Sequence, residues 1–149
     1  MIIKAVSAPE GEFKDNEFLF PVRVYYEDTD AGGIVYYANY LKFAERARTE
    51  FIRALGVRQQ DDLESDDKAG FVVRHCEIDY LAPAVLDDEL VIATRITEIR
   101  GAAVSMRQEI RRNDQTLVEI NIQVVYLSLK NKRPSRIPKE LVVKMEQYL

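Results

Sequence analysis

Hydrophobic positions change period twice along the chain, and each change marks a boundary. Residues 18–27, FLFPVRVYYE, are rich in aromatic and β-branched side chains and predict a strand. Pro21 has no N–H to give to a ladder, which suits an edge or a strand start. From Tyr40 the apolar residues fall at Tyr40, Phe43, Ala44, Ala47, Phe51, Ala54 and Leu55, the stripe of an amphipathic helix. Asn39 is the expected N-cap, unless the helix starts nearer Tyr37, and Gly56 is the expected C-cap. Lys42, Glu45, Arg46, Thr49, Glu50 and Arg53 take the other faces, at ordinary surface spacings.

After Gly56, residues 57–70 carry Asp61, Asp62, Glu64, Asp66 and Asp67 and read as a solvated connection with room for one short helical turn. The period then falls to two. Segments 71–83, 89–99, 102–113 and 115–129 predict strands, and in the last Val118, Ile120, Ile122, Val124 and Tyr126 alternate with Glu119, Asn121 and Gln123. That alternation favours antiparallel pairing with one wet face. Asp87-Asp88, Arg100-Gly101 and Asn113-Asp114 mark connections too short for crossover helices. Residues 138–149 predict a closing helix with Pro138 in its first turn. The expected architecture is strand, helix and four-strand meander, an α+β layer with one long helix against a curled sheet. Residues 1–16 mix Pro9, Gly11 and charges without a period and read as a loosely held lead-in, so the domain spans residues 17–149.

Composition narrows what this fold could serve. A chain of 149 residues with 47% hydrophobic content builds one core. With 21 Lys and Arg against 25 Asp and Glu, the net charge of −4 argues against a general nucleic-acid surface. The single cysteine, Cys76, has no internal disulfide partner and sits in an alternating apolar stretch, where a buried, inert thiol is expected. No apolar run reaches the ~20 residues of a membrane span, and the first residues lack the basic and apolar regions of a signal peptide. A cytoplasmic location is the expectation.

Chemistry concentrates in residues 25–39, YYEDTDAGGIVYYAN, where Glu27, Asp28 and Asp30 crowd against Gly32 and Gly33 ahead of a helix. An EF-hand reading fails, because position five would be Gly32 and position twelve Asn39 rather than a bidentate Glu. Transition-metal sites and Ser-His or Cys-His mechanisms would all have to recruit the lone histidine, His75, which reads better as a strand residue. What survives is a carboxylate on a pliable loop just before a helix N-terminus, whose N–H groups could polarise a carbonyl while the carboxylate attacks it or activates water. Ester or thioester hydrolysis fits, with Gly33 allowing close approach of the backbone to substrate. A turn in which Asp28 and Asp30 merely stabilise the loop and the helix dipole fits the same residues.

The stretch VRVYYEDTDAGGIVYYANYLKFAERARTEF closely resembles the hotdog-fold 4-hydroxybenzoyl-CoA thioesterase family, and within it the bacterial acyl-CoA thioesterases associated with the Tol-Pal envelope system. FVVRHCEIDYLAPAVLDDEL, ITEIRGAAVSMRQEI and Arg133-Pro134-Ser135-Arg136 follow the same pattern. The resemblance implies a hotdog fold, an antiparallel sheet wrapped around one central helix, and a homodimer or homotetramer with sites between subunits. It implies acyl-CoA hydrolysis without metal or cofactor, Asp30 as nucleophile or general base, and the Tyr37 backbone N–H as oxyanion donor. Members associated with Tol-Pal commonly have His where this chain has Tyr37. Coenzyme A phosphates need cations, and Lys130, Lys132, Arg133, Arg136 and Lys139 form the densest basic segment, with Arg133 and Arg136 inside the resembling stretch; a solvated basic tail is the plainer reading. Tyr25, Tyr26, Tyr36 and Tyr40 are expected to pack in strand and helix rather than form an acyl pocket. Two further readings are an acyl carrier protein thioesterase, and a hotdog module that binds acyl thioesters or envelope-biogenesis proteins without turnover.

Overall fold

Asp15 and Asn16 take left-handed φ values of 49° and 67°, the conformation of a two-residue hairpin turn, and fold β1 (Glu12–Lys14) back onto β2 (Glu17–Arg23). The computed structural model describes residues 5–64 and 68–149. In it the expected lead-in therefore ends in a paired edge strand. Phe13 holds that strand down, its ring 5.0 Å from Phe18, 5.6 Å from Phe51 and stacked at 4.1 Å on Tyr148. These contacts join both ends of the chain, so no local periodicity could announce them.

The remaining elements are α1 (Asn39–Ala54), α2 (Gln59–Glu64), β3 (Ala69–Tyr80), β4 (Glu89–Arg100), β5 (Ala103–Arg112), β6 (Gln115–Ser128) and α3 (Lys139–Glu146). Six strands form one sheet in the order β1-β2-β4-β5-β6-β3, with every neighbouring pair antiparallel. The four-strand meander expected from the sequence is corrected here to three strands, β4-β5-β6. Because β2 occupies the free edge of β4, pairing Phe18 with Thr94, β3 crosses to the open edge of β6 and pairs Tyr80 with Val118. The first strand is also shorter than its composition suggests. It ends at Arg23, and Tyr26–Asp28 form a 3-10 turn closed by Tyr25 N–H donating to Asp28 Oδ2 at 2.8 Å.

Helix α1 buries Tyr40, Phe43, Ala44, Ala47, Arg48, Phe51 and Ile52. Each fully buried Phe contributes about 1.5–3 kcal/mol by leaving water. Ala54, placed in the stripe by spacing, is exposed, and Ile52 takes the core instead. At the far end Gly56, with φ 91°, donates to Arg53 O while Val57 donates to Ile52 O, the paired bonds of a Schellman cap. The buried charge is accounted for: Arg48 Nη1 donates to Gln108 Oε1 at 2.9 Å and Nη2 bonds Glu45, while Gln108 Nε2 donates to Ala44 O and Thr94 Oγ1, both at 3.0 Å.

α1 packs mainly across β2, β4 and β5, while α2 packs on β3. That leaves the edge strand β3 poorly covered. Cys76, expected to be buried, is exposed for this reason. Residual burial still pushes its thiol pKa up, opposed by the Arg48 charge. Val73 is 48% exposed on the same strand. α2 supplies the short helical turn expected in the acidic connection, while Asp66 and Asp67 lie outside the described residues.

Candidate active site

The acidic loop folds as a small tongue. Asp30 N–H donates to Ile34 O at 2.9 Å, Gly33 N–H to Asp30 O at 3.0 Å and Tyr36 N–H to Asp28 O at 2.9 Å, with a bridge between Thr29 and Val35. Gly33 makes the reversal with φ 81°, a conformation that an L side chain resists. The tongue is stitched to the connection between β3 and β4, where Val35 N–H donates to Ala84 O at 2.9 Å and Ile34 bridges Val85. Tyr40 holds that connection from below. Its buried hydroxyl accepts Ala84 N–H at 2.9 Å, and burial raises its pKa above the ordinary phenol value.

The two aspartates have different surroundings. Asp28 is buried, with its carboxylate accepting Tyr25 N–H and its carbonyl accepting two donors, Tyr36 N–H and Asn39 Nδ2 at 2.8 Å. Asp30 is exposed, and its Oδ1 accepts Gly32 N–H at 2.8 Å. Asp30 and Gly33 line an open concavity of about 420 Å³ together with Tyr26, Thr29, Ala31 and Leu86.

Tyr37 lies at the other end of the tongue, just before α1. Its N–H makes no hydrogen bond within the described residues. The carbonyl of the same peptide group, Tyr36 O, accepts Asn39 N–H at 2.8 Å, so the planar trans peptide turns the Tyr37 N–H away from the helix. The Tyr37 carbonyl accepts the Tyr80 hydroxyl at 3.2 Å, a contribution that sequence reading missed. The available signal was alternation along β3, which puts Tyr80 on the same face as Ile78 and Cys76. Burial raises the Tyr80 pKa, helped by Tyr37, and a hydrogen bond with Tyr37 raises that of Tyr36.

The expectation that Tyr25, Tyr26, Tyr36 and Tyr40 all pack inside is corrected, since only Tyr40 is buried. Tyr25 and Tyr26 fall after the strand has ended, and Tyr36 lies on the exposed tongue, its ring 4.9 Å from Tyr37. Tyr37 and Tyr80 rings meet edge to face at 6.2 Å. An aromatic surface thus flanks the start of α1.

Asp30 and Gly33 share one turn, and the tongue connects them to Tyr37. Arg133 and Arg136 stand apart within one chain. Arg133 O accepts Ser128 N–H and Pro134 bridges Leu127, at the end of β6 opposite Val118, roughly 30 Å along the strand. A separate cavity of about 300 Å³ lies between α1 and β3, lined by Arg48, Thr49, Ile52, Phe71, Val73 and Met106 among others. Among the described residues no group of three or more His, Cys, Asp or Glu is placed to hold a metal ion. No helix among them is long and apolar enough to cross a membrane.

Residues 32–119 match the family model described as the thioesterase superfamily. The chain is 48% identical over 127 residues to an acyl-CoA thioesterase, YbgC, of Haemophilus influenzae, covering 85% of this chain and 93% of the relative. It is 44% identical over 131 residues to the acyl-CoA thioester hydrolase YbgC of Escherichia coli, covering 87% and 96%. A crystal structure of a probable thioesterase from Bartonella henselae superimposes with a TM-score of 0.77 at 38% identity, over 80% of this chain and 98% of the other.

Proposed function

The chain belongs to the thioesterase superfamily and has its hotdog fold, and from that premise we propose that it hydrolyses acyl-CoA thioesters to a free acid and coenzyme A. The observation that carries this reading is the pairing of an exposed carboxylate, Asp30, with an unengaged N–H, Tyr37, on one hydrogen-bonded tongue at the start of α1. The thioester carbonyl is polarised by Tyr37 N–H, and negative charge on its oxygen is stabilised as the carbon becomes tetrahedral. Asp30 either removes a proton from the water that attacks that carbon, or attacks it itself to form an acyl-aspartyl anhydride that a water then hydrolyses to the free acid; in both routes the C–S bond breaks and coenzyme A leaves as the thiolate, which takes up a proton.

The active form is a homo-oligomer. β3 is an open sheet edge carrying exposed Val72 and Val73, the kind of strand that a second copy pairs. Two β3 edges joined antiparallel about a two-fold axis run in opposite directions. The Arg133–Arg136 segment of one copy then approaches the end of the sheet where the Asp30 loop of the other copy lies. The basic residues could meet the nucleotide phosphates there, although within one chain they are far from Asp30.

Thiol release from a panel of short, long and aromatic acyl-CoA esters tests the activity. Turnover of at least one class is expected. Turnover of acyl carrier protein thioesters alone, or binding without any hydrolysis, would overturn the reading.

A further inference from the structure

Asn39 stands where an N-cap is expected, yet it does not cap the helix. α1 begins at Asn39 itself, and the residue before it, Ala38, has a helical φ of −70° and ψ of −21° with no side-chain cap. Two hydrogen bonds leave Asn39 toward the loop. Its backbone N–H donates to Tyr36 O at 2.8 Å, and its side-chain Nδ2 donates to Asp28 O, also at 2.8 Å. Tyr36 O belongs to the peptide whose N–H is the Tyr37 N–H. Asp28 O belongs to the strand of the tongue that leads two residues later to Asp30.

We propose that Asn39 is a positioning residue that sets the separation between the Asp30 carboxylate and the Tyr37 N–H by tying both sides of the tongue to the first turn of α1. This rests on the acyl-CoA hydrolase reading of Asp30 and Tyr37. Asp28 O is the shared point: it accepts Tyr36 N–H at 2.9 Å and Asn39 Nδ2 at 2.8 Å, so both of its lone pairs are used. Without the amide, Asp28 O keeps only the Tyr36 N–H as donor, and the direct tie between the Asp28 side of the loop and the first turn of α1 is lost. A displacement near 1 Å between a catalytic group and its oxyanion donor costs about 100-fold in rate, whereas a binding surface elsewhere is unaffected. Asn39 is half-buried and outside the concavity at Asp30, so its influence runs through these two bonds rather than through contact with substrate there.

The experiment compares Asn39→Ala, Asn39→Ser and Asn39→Asp with Asp30→Asn and with the Asn39→Ala/Asp30→Asn double variant, using whichever acyl-CoA of the panel wild type turns over fastest. Circular dichroism establishes that each is folded. Asn39→Ala is expected to lower kcat by about 10- to 100-fold with KM changed less than about threefold. Asn39→Ser, whose hydroxyl still donates, should recover part of the loss. Asn39→Asp, which sets a carboxylate against the Asp28 carbonyl, should be at least as impaired as Asn39→Ala. Since Asn39 acts through the pair, the double variant should be no slower than Asp30→Asn alone. The proposal fails by itself if Asp30→Asn is inactive while Asn39→Ala keeps wild-type kcat, or if the two losses multiply. It falls together with the catalytic reading if Asp30→Asn leaves turnover intact.

Discussion

Gly32 donates its N–H to Asp30 Oδ1 at 2.8 Å, and a Cβ on Gly32 would stand 3.1 Å from that same oxygen. A side chain at this position therefore fits only if the carboxylate gives by a few tenths of an ångström. Gly33 is a different case. A Cβ there meets nothing within 4 Å, but its φ of 81° strains any L residue. The two adjacent glycines serve separate ends, room for a carboxylate and freedom of the backbone.

That difference gives a paired prediction. Gly32→Ala is expected to lower turnover by up to about tenfold with little change in melting temperature, because it shifts the Asp30 carboxylate without a forbidden φ. Gly33→Ala should cost about 1–2 kcal/mol of stability. Thermal melts and initial rates on both variants check this, and equal melting temperatures for the two would contradict it.

The outer face of the sheet carries a charge ladder with a definite pH signature. Arg111 Nη1 bonds Glu17 at 3.0 Å and its Nη2 bonds Glu109 at 2.6 Å, while Arg107 lies 3.4 Å from Glu109 and 3.3 Å from Glu119. Burial pushes the Glu109 pKa up, but the hydrogen bond and charge of Arg111, joined by Arg107, outweigh it and hold the carboxyl below its usual range. A depressed folded pKa means stability that is present above the unfolded value and lost as pH falls through the folded one. Glu109→Gln should thus melt below wild type at pH 7, with the gap narrowing in acid below about pH 4. A gap that stays constant on acidification would mean that Glu109 contributes by packing alone.

Much of this was legible in the sequence where the physics is local. The period-two runs, the helical stripe, Gly56 and the tight turns at Asp87, Gly101 and Asn113 all rest on neighbours a few residues apart, and the strands and helix end within a few residues of their expected limits. What failed was set at long range. β3 joins β6 because β2 had taken the edge of β4, and Cys76 is exposed because α1 packs mainly on β2, β4 and β5 rather than on the edge strand β3. Arg48 is buried because Gln108 offers a partner 60 residues away. At the site, the acidic loop stood out by its crowding, whereas the Asn39 bond to Asp28 and the Tyr80 bond to Tyr37 depend on a folded tongue.

The open edge of β3 predicts the assembly. Light scattering of wild type at micromolar concentration should show no dominant monomer. Val73→Lys adds a charge to the exposed edge, a device that blocks strand pairing, and should yield a folded monomer with little activity. A monomer that hydrolyses acyl-CoA at the wild-type rate would remove the shared site.

Asp30→Asn separates catalysis from turn formation. An asparagine keeps an Oδ1 to accept Gly32 N–H, so the turn should survive and melting temperature change little. What is lost is the negative charge. If Asp30 attacks the thioester or activates water, thiol release should fall by about 100-fold or more, in the range of a missing general base. Acyl-CoA binding should persist or tighten slightly, because a carboxylate no longer faces an anionic substrate. Asp28→Asn is the control: its carboxylate is buried and accepts Tyr25 N–H in the 3-10 turn, so this change should act on stability while the folded fraction keeps near wild-type turnover. Turnover, affinity and melting temperature measured on both variants decide between the roles. Equal small losses of turnover at the two positions would make the acidic loop structural and take the catalytic assignment with it.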